Sequence, residues 1–223
     1  MAACVLIAGC TLPGQLLYAL VPDGTIPMLL GKLERESDTN RRQVAALERK
    51  GDWEGLAKFA DENIAKEPNN SSWWLVAGYA NAKQKKHARA IECFQEIVRL
   101  DPTLPDGWNL LAQEHRTVGD SQRAVDVLTR ALMALRDSAV TLTLLGESYS
   151  DLAQFELAGR SYRQALDIDG GLMQAWAGLA RSHIKLGRMS EAESIARAVE
   201  KFNPPNPQLA AAIRNEMGAA ASR

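Results

Sequence analysis

Trp74-Leu75-Val76-Ala77-Gly78-Tyr79, then Ala90, Phe94 and Leu100-Asp101-Pro102, is the stretch on which the fold turns. Moved along the chain in steps of 34 residues, it meets its own features again. Trp108 stands one step on from Trp74, and Trp176 two steps further. Ala90, Ala124, Ala158 and Ala192 form a second series, each 34 from the next. Pro68 and Pro102 are one period apart, with Pro204 three periods beyond, and Gly51, Gly119 and Gly187 recur at every second period. No gap is needed to keep these series in step. An internal period of this length is the mark of an array of small, similar units.

The period divides the chain into five units, 37–70, 71–104, 105–138, 139–172 and 173–206. The pattern resembles the tetratricopeptide repeat family, whose units carry Trp, then Leu-Gly, then Tyr, followed by Ala, Phe and Pro at set spacings. The second unit supplies Trp74, Gly78, Ala90, Phe94 and Pro102, and the fourth Leu145, Gly146, Tyr149, Ala158, Tyr162 and Ala165. The first unit departs most, with Asn40, Leu56 and Ala60 at the motif positions, and Arg136 and Gly170 stand where proline is usual. The resemblance implies an all-α fold, a right-handed solenoid of helix-turn-helix repeats with a concave side.

Elementary physics supports the same reading. Apolar residues return every three or four positions over about 72–84 and 87–100, predicting two amphipathic helices in the second unit. Alanines and glycines let the helices approach, and Trp and Phe fill the space beside them. Pro102 then ends the second helix, because it cannot extend the hydrogen-bond ladder. From Pro207 to about Met217 a last helix is expected to cap the array, with 218–223 as a tail.

The first thirty-one residues differ in kind. Only Asp23 is charged between Met1 and Gly31, so residues 1–31 read as a membrane-directed segment ahead of a repeat domain over 32–217. Leu6-Ile7-Ala8-Gly9-Cys10 resembles a bacterial lipobox, which makes Cys10 the candidate lipidation site. Few residues precede it and none is basic, unlike an ordinary export signal. The alternative is a spanning helix over about 2–21, interrupted by Pro13-Gly14. In that case Lys32, Arg35, Arg41 and Arg42 favour cytoplasmic repeats at the inner membrane. The lipoprotein reading instead places the repeats on the periplasmic side.

With 26 basic against 27 acidic residues, the chain has no excess positive charge to follow a nucleic-acid backbone. Three cysteines make no disulfide scaffold. His115 and His183 share one repeat phase and read as fillers between helices, while His87 opens a helix and is expected to face solvent. Cys93 beside Phe94 reads as a small buried apolar group. Ser182 and Lys185 spell Ser-x-x-Lys, the one hint of a serine hydrolase on a repeat scaffold, with no accompanying motif. The expectation is a protein without catalytic residues, metal, cofactor or small-molecule substrate.

What the resemblance adds is a site. In that family the first helix of each unit lines the concave groove at fixed positions. Carried over, these are Leu75, Tyr79 and Lys83; Asn109, Gln113 and Arg116; Thr143, Glu147 and Asp151; and Ala177, Arg181 and Lys185. Amides, aromatics and mixed charges suit an extended peptide or a helix of a protein partner. The resemblance therefore implies a scaffold, here tethered to a membrane, of the kind that serves bacterial envelope assembly or secretion.

Overall fold

A computed structural model describes residues 38–135, 138–202 and 205–222. Residues 1–31, with Cys10 and both readings of the leader, lie outside the described residues. Eleven α-helices run through the described part, which contains no strand. They are α1 (Asp38–Lys50), α2 (Trp53–Lys66), α3 (Ser71–Lys83), α4 (His87–Leu100), α5 (Pro105–Thr117) and α6 (Ser121–Ala134). They continue with α7 (Ala139–Asp151), α8 (Phe155–Ile168), α9 (Met173–Lys185), α10 (Met189–Glu200) and α11 (Pro207–Ala221).

The period survives intact in three dimensions. From α3 to α9 the first helices of successive units begin 34 residues apart, and the second helices α2 to α10 keep the same step. By that count α11 occupies the place of a first helix in a sixth unit. It packs on α9 and α10 and runs to Ala221, beyond Met217, so residues 218–221 are helical and not part of a tail. Asn206 caps it by accepting from the Leu209 amide. Asn70, Asp120 and Ser138 likewise accept first-turn amides of α3, α6 and α7.

Each hairpin turns through one left-handed residue. These are Gly51, Lys85, Gly119, Ala153 and Gly187, again one period apart, with φ between +56° and +82°. Glycine meets that demand at no steric cost, but Lys85 and Ala153 hold it with a Cβ.

The core explains the small residues. A Cβ on Gly78 would lie 2.4 Å from the Phe94 ring, and one on Gly178 would lie 2.3 Å from that of Tyr162. Aromatic rings of the second helices thus rest directly on backbone of the first helices. Trp74, Trp108 and Trp176 each donate their indole N–H to a carbonyl six residues earlier, on Pro68, Pro102 and Gly170, at 2.8–2.9 Å. The same tryptophan therefore fills space and pins the inter-unit turn.

Side chains also tie neighbouring units together. Gln84 Nε2 donates to the Trp53 carbonyl, Arg89 pairs with Asp61, and His87 Nδ1 lies 2.5 Å from Glu114 Oε1. Bonds from α5 and α6 to α7 join the third and fourth units. Among the described residues, no side-chain hydrogen bond joins α7 or α8 to α9 or α10. That junction rests on packing, chiefly Tyr162 against Gly178.

Candidate partner-binding groove

Residues four apart on a helix share a face. The stripes named from the sequence therefore run along one side of α3, α5, α7 and α9, and contacts of α5 with α7, α7 with α9, and α9 with α11 bring them side by side. What they find there varies along the wall.

At the N-terminal end the stripe is largely built into the core. Leu75 is buried in the cluster that holds Phe94, Trp108 and Leu111. Tyr79 is buried with Leu56, Trp73 and Val76, its ring edge-on to Trp53 at 5.7 Å. Lys83 Nζ sits 5.2 Å from the Tyr79 ring centre and 5.6 Å from that of Trp53, a cation held over two aromatic faces. Sequence spacing gives the face of a helix but not how closely the next helix stands over it.

The middle of the wall is a charged lattice. Asn109 is buried, and its Oδ1 accepts from Thr141 Oγ1 at 2.9 Å. Gln113 is buried, and its Oε1 accepts from Arg116 Nη1 at 3.1 Å. Thr143 returns its hydroxyl to the Ala139 carbonyl. Arg116, with a side chain only 7% exposed, donates through Nη1 to Glu147 Oε2 and through Nε to Asp151 Oδ2 at 2.7 Å. Ser121 Oγ adds a longer bond to the same Asp151 oxygen. Burial alone would lower the Arg116 pKa, but its two carboxylates raise it above the ordinary value. Glu147 is pushed upward by burial, which Arg116 only partly reverses.

Toward the C-terminal end the wall opens. Arg181 Nη2 donates to Glu216 Oε1 of α11 at 2.9 Å, and about half of its side chain remains exposed. Lys185 is exposed and makes no ion pair among the described residues. Ala177 is half-buried between them and the core.

The other candidates fall in place around this wall. Ser182 is buried and donates to the Gly178 carbonyl at 2.8 Å, not to Lys185, so the hydroxyl has no base beside it. His115 and His183 are buried as fillers, and burial lowers the pKa of each. His87 does not face solvent freely, because α5 brings Glu114 against its ring. Glu114, at 1% exposure, stands where the fourth and fifth units place Ser148 and Ser182. That lone acid at a buried small-residue phase was the available signal for the pair. Cys93 is fully buried, and burial pushes its thiol up to about 11. Among the described residues no three His, Cys, Asp or Glu side chains gather as metal ligands, and no helix is long and apolar enough to cross a membrane.

Tetratricopeptide-repeat models match residues 43–105 and 151–215, together more than half of the chain. The chain is a tetratricopeptide-repeat protein. It is 22% identical over 158 residues to anaphase-promoting complex subunit 3 of Schizosaccharomyces pombe, a match covering 71% of this chain and 19% of that protein. The chain spans less than a fifth of the length of the curated relatives it matches. Among solved structures it resembles PilW, a widely conserved type IV pilus biogenesis factor, with TM-score 0.67 and 14% identity, covering 84% of this chain and 88% of PilW. It also resembles YrrB, a tetratricopeptide-repeat protein with an unusual peptide-binding site, with TM-score 0.61 and 13% identity, covering 85% and 97% of the two chains. At such identities these structures establish the shared fold.

Proposed function

We propose that this tetratricopeptide-repeat protein is a scaffold that holds an extended peptide or a helix of a partner protein against its concave wall. The single observation that carries the reading is the pre-formed lattice Arg116–Glu147–Asp151 between α5 and α7. A wall already ordered before binding loses little entropy when a partner arrives. Arg181 and Lys185 extend it with exposed cations, which would set the register of an acidic segment more than its affinity. The peptide site named for YrrB and the pilus role named for PilW are in keeping with this reading.

The same proposal places the scaffold at a bacterial membrane, in envelope assembly or secretion, with the lipobox-like run ending at Cys10 as its support. A photo-crosslinking residue at Ala177 should capture a defined partner, whereas one at Ser194, exposed on α10, should not. Equal capture from both positions would refute the groove. Palmitate-analogue labelling that persists in Cys10→Ser would refute lipidation at that residue.

A further inference from the structure

The junction between the fourth and fifth units forms an open surface pocket of about 410 Å³. Its α9 wall includes Leu179 and His183. At roughly 100° per residue these stand on the side of α9 opposite Ala177, Arg181 and Lys185, so the cavity faces away from the groove.

Comparison of the units explains why it is open. Gly159 lines the cavity at the phase where the second and third units carry Ile91 and Val125. A Cβ on Gly159 would meet Leu179 Cδ1 and Ser182 Cβ at 3.7 Å each, which is ordinary contact. No close approach of backbones demands glycine here. Its effect is to leave open a space toward which Ile91 and Val125 project at the two preceding junctions.

The charges around this space also break the repeat. Arg160 stands where earlier units carry Lys58, Glu92 and Asp126, Arg163 where they carry Asp61, Gln95 and Thr129, and Arg188 where they carry Asp52, Lys86, Asp120 and Gln154, so no earlier unit has cations at all three phases. All three line the cavity, and none makes an ion pair among the described residues. Glu156 and Asp167 face it as well, which leaves one positive charge in excess. His183 is buried beside them, and its Nδ1 has no hydrogen-bond partner. Phe155, Leu179 and Leu186 supply an apolar floor.

We infer that this cavity binds a small organic anion, a phosphate or carboxylate carried on an apolar body of about the size of one aromatic ring. Guanidinium groups pair with either oxyanion through two parallel N–H donors. The apolar body covers Phe155 and Leu179, and the incoming negative charge favours protonation of His183. Burial, and then Arg163, lower the pKa of that imidazole; Glu191 opposes them, and Arg188 adds a smaller lowering.

Phenyl phosphate, benzoate and inorganic phosphate, titrated into the full chain and followed by calorimetry and by the His183 ring resonances, test the assignment. Phenyl phosphate or benzoate should bind saturably, tighter than inorganic phosphate, and should raise the His183 pKa. Arg163→Gln with Arg188→Gln should weaken binding by about tenfold or more, as loss of charged hydrogen bonds does. Gly159→Val, which restores the Val125 arrangement, should abolish it while melting stays cooperative. If Gly159→Val does not fold, the double glutamine variant decides alone, since both arginines are exposed. No saturable binding of any probe, equal affinity for inorganic phosphate, or binding undiminished in the variants would overturn the inference.

Discussion

Arg116 in α5 donates through Nε to Asp151 Oδ2 in α7 across 2.7 Å, while its Nη1 serves Glu147 one turn earlier on the same helix. A single guanidinium therefore bridges two carboxylates of the next unit, each about four-fifths covered.

Arg116→Met should cost about 3 kcal/mol, the lower end for breaking a buried ion pair, because Glu147 and Asp151 keep some access to water. Urea unfolding would measure it. Replacing all three residues by apolar ones of similar size should recover most of the loss. A single-variant cost below about 1 kcal/mol, the scale of exposed pairs, would show that the lattice is solvated.

Lys85→Gly and Ala153→Gly should each stabilise the chain, by a few tenths to about 1 kcal/mol. Relief of the left-handed conformation is worth about 1–2 kcal/mol, less about 0.4–1 kcal/mol for the greater freedom of glycine in the unfolded chain. Gly119→Ala should do the reverse at φ +82°. Thermal midpoints of the three variants check the sign, and destabilisation by both glycine variants would contradict it.

Stability should fall as the solution is acidified through the histidine range. His115 and His183 have pKa values below the ordinary 6.5, chiefly because burial disfavours the imidazolium. The unfolded chain then binds more protons than the folded one, so unfolding free energy rises with pH and is lost as pH drops below 6.5 toward the depressed values. His115→Tyr, which copies Tyr149 of the next unit, should flatten part of that slope in denaturant titrations at pH 5 to 8. An unchanged slope would count against His115 as a source.

Arg181→Glu with Lys185→Glu should weaken partner capture while moving stability by no more than about 1 kcal/mol, since the one ion pair lost among the described residues, Arg181–Glu216, is roughly half exposed. Pull-down and melting on the same preparations separate the two effects. Parallel losses of both would mark these residues as structural.

The unit count, the helix pairs and the aromatic fillers were legible in the chain because each is a property of one period repeated. The expected helix over about 72–84 is Ser71–Lys83, and His87–Leu100 matches its expected span. The candidate groove was legible only as one face of each first helix. Leu75, Tyr79, Asn109 and Gln113 carry the right phase, yet neighbouring units bury them, and burial depends on the distance between helices that sequence does not state. Pairings such as Arg116–Asp151 and His87–Glu114 escaped because they cross units at separations fixed by superhelical stagger, not by any motif. The extent of α11 was missed because Gly218 reads as a stop, whereas the alanines after it keep the helix going to Ala221.

The junction between the fourth and fifth units, held by packing without a side-chain hydrogen bond among the described residues, has a mechanical meaning. If the array were pulled from both ends, directional bonds would hold α3 to α8 in step, and the load would concentrate where apolar packing alone joins the helices. Rupture would begin there, setting α9, α10 and α11 loose as one piece and exposing the Tyr162 ring to solvent, so its fluorescence would report the first event of unravelling.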